Sequence, residues 1–138
     1  MYLADIPYDL KFNVMLHSNF DNIRLLCSTN RAFHDICNDP YFWQQKINLD
    51  FGFIIPDISV DYHVYKLLHN KLKRKAVLTP YMLYVMYNLN RIHSENSNQL
   101  QIHSISSNEW KMLTDTQKQQ YIDAAKIYNN KFYTIRKK

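Results

Sequence analysis

The chain has 138 residues, enough for one ordinary domain or two very small ones, and 46% of them are hydrophobic, enough for a folded core. Gly52 is the only glycine, which excludes Gly-rich phosphate loops and argues against tight hairpins, so the sequence reads as all-α. The net charge of +5 is unevenly divided: residues 1–70 carry five Lys/Arg and eight Asp/Glu (−3), residues 71–138 twelve and four (+8), which points to two modules with different partners.

Ile6-Pro7-Tyr8-Asp9-Leu10 opens a short helix with Leu10, Val14 and Met15 on one side. Phe20-Asp21-Asn22 breaks it, and either Asp21 or Asn22 can cap the next helix. Ile23, Leu26, Cys27 and Asn30, then Phe33, Ile36 and Cys37, follow helical spacing. Asn38-Asp39-Pro40 is a stop and a restart, and Tyr41-Phe42-Trp43 begins another helical turn with Ile47 four residues beyond Trp43. Phe51 to Ile58 is an apolar loop, after which Ser59 is placed to cap a helix. In that helix Val64, Tyr65, Leu68 and Leu72 form a one-sided stripe, expected to pack on the N-terminal half. Its last turn holds Lys71, Lys73, Arg74 and Lys75, a cluster denser than the helix dipole alone calls for.

Thr79-Pro80 is a helix start, with a hydroxyl cap and a proline at the first helical position. The nearly unbroken apolar run from Tyr81 to Tyr87 is either deeply buried or uses one face for something other than core. A basic arm leading into an exposed apolar wedge is the pattern of proteins that grip phosphates and push a side chain between base pairs. This helix is expected over Pro80–His93, followed by a polar loop from Ser94 to Gln99 and a short helix over Gln101–Met112 with Ile102, Ile105 and Trp110 apolar. Thr114-Asp115-Thr116-Gln117 reads as a capping box. The helix it starts carries an inward stripe of Tyr121, Ala125, Tyr128 and Phe132, with Lys126, Lys131, Arg136, Lys137 and Lys138 accompanying or following it.

Catalytic and metal chemistry find little support. His17, His34, His63, His69, His93 and His103 include no pair four residues apart and none at ligand spacing from a cysteine, so no metal or other cofactor is expected. Nor is a Ser-His-Asp or Cys-His order convincing, and the chain reads as a binding protein without catalytic residues. Cys27 and Cys37 lack CxxC spacing and read as buried reduced thiols of an intracellular protein. Asp5 and Pro7 interrupt any signal peptide, and no apolar run approaches the roughly 18 residues of a membrane span.

The N-terminal half resembles an F-box. The resemblance rests on Ile6-Pro7 with Leu10, on Ile23-Arg24-Leu25-Leu26-Cys27-Ser28, on Arg31 and Phe33, and on Asp39-Pro40-Tyr41-Phe42-Trp43, and it covers residues 3–47. It implies docking on the Skp-type adaptor of a cullin-RING ubiquitin ligase, with Ile6, Pro7, Leu10, Ile23 and Leu25 as partner-binding residues. Short proteins of large nucleocytoplasmic DNA viruses carry similar F-boxes.

The C-terminal half is similar to an HMG box, on Leu78 to Tyr84 (LTPYMLY), Ser94-Glu95-Asn96, Trp110-Lys111-Met112-Leu113-Thr114, Lys118, Tyr121 and Ala125. Two departures stand out: the stretch from Tyr81 to Trp110 is shorter than usual, and the glycine expected ahead of the tryptophan is missing, with Asn108 nearby. The resemblance implies minor-groove binding and bending of double-stranded DNA. It puts the inserted residue at Met82, which core packing also accounts for, and a second wedge at Leu100 or Ile102. Thr79 stands where weak sequence preference is implied, and Tyr81 either contacts the groove or completes the core. Lys73, Arg74, Lys75, Arg91 and Lys111 are the implied phosphate contacts. The expected organisation is an F-box-like short helical bundle (1–50), a linker loop and helix (51–73) and a three-helix, L-shaped HMG box (74–138). The competing readings are an F-box adaptor whose HMG-like half binds a protein substrate, and a structural virion or chromatin protein. A DNA-binding role implies the nucleus or a viral replication site.

Overall fold

The computed structural model describes residues 6–56, 58–95 and 99–133, and among these every regular element is helical. The order is α1 (Tyr8–Leu16), α2 (Phe20–Thr29), α3 (Arg31–Cys37), α4 (Pro40–Phe51), α5 (Tyr62–Lys73), α6 (Pro80–Glu95), α7 (Gln99–Met112) and α8 (Asp115–Phe132). The all-α expectation holds. The last three helices lie close to their expected bounds, α6 and α7 each extending two residues further where the polar loop was expected. Asn96, Arg136, Lys137 and Lys138 lie outside the described residues.

Most helix starts are dictated by a short polar side chain on the backbone N–H groups of the first turn. Asn19 accepts from Asn22 N, Asn30 from Ala32 N, and Asp39 from Tyr41 N with Pro40 at the first position of α4. Thr79 accepts from Met82 N at 3.1 Å. Thr114 and Gln117 satisfy each other's backbone N–H groups, so both halves of the expected capping box form. Two caps differ from expectation. Asn19, ahead of the Phe-Asp-Asn stretch, caps α2, because Phe20 is drawn into the core as its first residue. Asp61, not Ser59, caps α5, since Val60 is buried and the helix begins only after it.

One hydrophobic core runs through the whole chain. It joins Met15, Phe20, Ile23, Phe33, Ile36, Phe42, Trp43 and Ile47 of the first four helices to Leu83, Tyr84 and Tyr87 of α6 and Tyr121 and Tyr128 of α8, with Trp110 of α7 partly buried against it. Phe51, the last residue of α4, is the joint. Its ring lies 5.5 Å from Tyr65 of α5, 6.0 Å from Tyr128 and 6.2 Å from Phe132 of α8. Gly52 then ends α4 in the left-handed conformation (φ 89°), and a Cβ there would lie 3.3 Å from Ile127 Cγ2, so the residue must both turn and admit α8. The expected stripe of α5 is confirmed: Val64, Tyr65 and Leu68 are buried and Leu72 partly so. On α1 the expected side is turned about: Met15 is buried with Phe12 and Leu16 against the core, while Leu10 and Val14 face solvent.

Two features were not anticipated. Asn30 divides the second helical region into α2 and α3, and α3 folds back so that the Cys27 and Cys37 Cα atoms stand 5.9 Å apart, within disulfide range. The sulfurs are bonded to each other, which corrects the expectation of reduced buried thiols. The second feature is Lys46, only 3% exposed. Its ammonium donates to Leu16 O (2.7 Å) and Ser18 O (2.8 Å), carbonyls at the end of α1, and pairs with Asp50 at 3.1 Å. Asp50 accepts in turn from the Tyr65 hydroxyl of α5, whose pKa burial and this bond push up, while its carbonyl accepts from Lys131 of α8 at 3.1 Å. One buried cation thus ties α1, α4 and α5 together. Lys46→Met keeps the length but leaves two carbonyls without their donor and the Asp50 carboxylate with only the Tyr65 hydroxyl, so stability should fall by about 2–4 kcal/mol in urea unfolding, and a loss below about 1 kcal/mol would contradict this role.

Candidate nucleic-acid interface and partner face

The basic cluster sits in a defined turn. Lys75 N donates to Leu72 O (3.0 Å) and Ala76 N to Lys71 O (3.4 Å), the paired bonds of a Schellman motif ending α5. Its left-handed position is held by Lys75 (φ 56°), where glycine would carry no Cβ penalty. Lys73, Arg74 and Lys75 are all exposed and form no ion pair among the described residues. The chain then runs extended to α6, pinned by Asn129 of α8, which accepts from Leu78 N (2.9 Å) and donates to Leu78 O (2.8 Å). Leu78 itself is fully buried.

Tyr81 brings the two ends of this region together. Its ring meets Trp110 edge-on at 6.1 Å, and Trp110 also packs on Tyr84 (5.7 Å) and Tyr121 (6.0 Å) under the Lys118 ammonium. The start of α6, with exposed Thr79 and the basic turn behind it, therefore lies beside the end of α7, where Lys111 is exposed. Met112 follows Lys111 and is 83% exposed, the most exposed large hydrophobic among the described residues, and Val77 is also exposed on the approach to α6. Neither was singled out from the sequence. The available signal was that Met112 falls off the Ile102–Ser106–Trp110 side of α7 and that Val77 is an apolar residue within a basic stretch.

Other expected DNA residues are placed differently. Met82 is partly buried against the core, with Lys71 Nζ 3.8 Å from its sulfur. Ile102 is 7% exposed and packs with Ser106 into the α6–α7 interface near Val85, Leu89 and His93, so it is not a free wedge. The side chain of Leu100 lies outside the described residues. Arg91 is exposed, but its guanidinium forks onto Glu109 of α7, Nη2 to Oε1 at 2.6 Å and Nη1 to Oε2 at 3.2 Å. That geometry makes it a brace between α6 and α7 instead of an open phosphate contact. The Tyr84 hydroxyl donates to the same carboxylate at 2.6 Å. Arg91 holds the Glu109 carboxyl below its ordinary range, while burial, then the bond to Glu109, raises Tyr84.

On the other half, Pro7 and Leu10 are exposed (Leu10 56%), Ile6 is half-buried, and Leu25 is 60% exposed on α2. Ile23 is fully buried, because helical spacing from Phe20 points it into the core, so it supports the fold and offers no partner surface. Val14 is exposed on the same side of α1 as Leu10, while Tyr8 and Tyr41 are exposed on its Phe12 side, where Phe12 stacks on Tyr41 at 5.7 Å. Among the described residues no helix is long and apolar enough to cross a membrane, and no group of three or more His, Cys, Asp or Glu is placed to hold a metal.

This arrangement, exposed apolar side chains on one helical unit and an exposed basic turn leading into a second, is that of a protein built of two binding modules. Residues 3–45 match the F-box domain family and residues 71–136 the HMG-box domain family, so the chain carries an F-box domain followed by an HMG-box domain. No curated protein and no solved structure matches the chain significantly.

The Arg91–Glu109 brace gives a pH test. A carboxyl held below its unfolded value contributes stability that is present above the unfolded pKa and is lost as pH falls through the folded one. Glu109→Gln should be less stable than the parent by up to about 1 kcal/mol at neutral pH, since the pair is partly exposed. That gap should close between about pH 5 and pH 3 in thermal melts. A pH-independent gap would show that the charge is not what braces the two helices.

Proposed function

We infer that the protein binds double-stranded DNA through its HMG box, in the minor groove and with little sequence preference, bends it, and recruits a partner through its F-box. The partner that fits is the Skp-type adaptor of a cullin-RING ubiquitin ligase, met by Pro7, Leu10, Leu25 and the apolar residues around them. In this reading the protein carries ligase to DNA, in the nucleus or at a viral replication site, and performs no catalysis itself.

The observation that carries the DNA half is the Schellman turn. Three exposed cations stand in succession, and Lys75 occupies a backbone position that costs an L-residue about 1–2 kcal/mol and glycine none. Strain of this kind is tolerated where a side chain has work to do. With Lys111 nearby and a net charge of +8 over residues 71–138, the surface suits phosphate binding. The coexistence of basic turn, packed Trp110–Tyr84–Tyr121 cluster and braced α6–α7 corner supports the HMG geometry.

The experiment is a mobility shift on linear and four-way-junction DNA across a salt series. Binding to both with junction preference is expected, with log K falling against log salt at a slope near −4 to −5 for about five phosphate contacts. Lys75→Gly should melt at a higher temperature than the parent while its slope shrinks by about 0.9. Silence on both DNAs would sink the DNA reading and leave an F-box adaptor whose HMG-like half binds a protein. Co-purification with the Skp-type adaptor, abolished by the joint substitution Pro7→Ala and Leu10→Ala, tests the other half.

A further inference from the structure

We propose that Lys71 is a DNA-contacting residue that also covers Met82, and that its ammonium leaves the Met82 thioether for a backbone phosphate when the box docks. This rests on the DNA-binding reading above, and adds to it a residue that couples phosphate contact to release of the inserted side chain.

The geometry starts from the packing of α5 beside α6. The two helices run antiparallel: Asn90 of α6 donates to Asp61 at the start of α5 (2.9 Å), and Lys71 near the end of α5 reaches Met82 near the start of α6 (3.8 Å). Met82, Met86 and Asn90 are spaced by four, so they share the side of α6 that faces α5. Met82 and Met86 are both partly buried there. A wedge residue in that place is covered in the free protein, and the atom group that covers the tip of Met82 is the end of a lysine.

A thioether is a weak acceptor, so the Lys71 ammonium is poorly partnered where it stands. A phosphate oxygen offers it a charge-assisted bond, which is about twice as strong as a neutral one. Lys71 lies in the same turn as Lys73, Arg74 and Lys75, so phosphates that meet those exposed cations come within reach of it. The exchange needs only the flexible four-carbon stem to swing, and α5 keeps its place in the core. Thr79 meanwhile holds the Met82 backbone through its cap, so that only the side chain has to move. Free protein thus keeps an apolar side chain out of water, and phosphate contact exposes it at the groove.

Met112, at 83% exposed, is a built-in reference for the test. Brief treatment of the intact chain with dilute hydrogen peroxide, followed by peptide mass spectrometry, gives the oxidation rate of Met82 relative to Met112. Lys71→Ala removes the cover and the charge. It should raise that ratio by about threefold or more with the circular dichroism spectrum unchanged, and reduce the salt slope of DNA binding by about 0.9. Lys71→Met keeps an apolar cover without the charge. It should leave the oxidation ratio near that of the parent and still lose about 0.9 of slope. An unchanged oxidation ratio in Lys71→Ala overturns the cover, and an unchanged slope in both variants overturns the phosphate exchange. Parent protein that binds no DNA overturns the DNA reading and this coupling with it, whereas DNA binding with an unaltered slope overturns the coupling alone.

Discussion

The structure depends on the burial of Phe51 between the two halves. The ring belongs to α4, yet two of its three aromatic neighbours are on α8, and it is almost wholly removed from water. Everything around it serves that contact. Gly52 turns the chain away without a Cβ to keep α8 off, and Phe53 and Ile55 follow into the core. Asp50 takes the Lys46 charge on one side and the Tyr65 hydroxyl on the other, and its carbonyl receives Lys131. The residues between the two family matches, after 45 and before 71, are therefore not a spacer: they contain the second half of α4 and the first three-quarters of α5, the parts that weld the modules.

This weld has consequences for what the surfaces can do. From Tyr41 to Phe51, α4 rises about 15 Å, so the apolar residues around Tyr8 and Tyr41 lie a helix length from the point where α8 docks. A partner seated on α1 and the start of α4 leaves the basic turn free. On the other side, α8 carries Tyr121 against the α6–α7 corner and Tyr128 against Phe51, separating the braced corner from the weld by two turns of helix. Two binding modules on such a frame hold their ligands at a set distance, where a flexible tether would let them wander. The exception is α5, which lies along α6 and covers one of its sides, giving the segment between the modules a direct physical contact with the helix expected to meet DNA.

Much of this was legible in the sequence. The capping box at Thr114, the Asp39-Pro40 restart and the stripes of α5 and α8 follow from local rules, in which a side chain satisfies its own turn or repeats at helical spacing, and the folds of the two modules follow from the family resemblance. The places where reading failed are those decided by contacts far along the chain. Phe20 is a helix's first residue because the core claims it, which moves the cap to Asn19. Arg91 resembles any exposed cation until Glu109, on another helix, is seen to hold it. Lys46 has Asp50 four residues on as a local partner, but its burial is explained only by the carbonyls at the end of α1, which the local sequence does not show. Ile23 and Ile102 are apolar residues whose motif suggested a surface role, but helical phase turns each one inward. The bond between Cys27 and Cys37 depends on a chain reversal at Asn30 that spacing alone does not reveal.

Native-state hydrogen exchange across a denaturant series tests the central claim, that one core unites the two modules. A shared core means that the slowest amides of α4 and α5 and those of α6 and α8 exchange only through the same global opening. The account predicts that all four helices converge on a single free energy and a single denaturant slope. Two separate isotherms, with α6 and α8 opening at a different free energy and a smaller slope than α4 and α5, would contradict it.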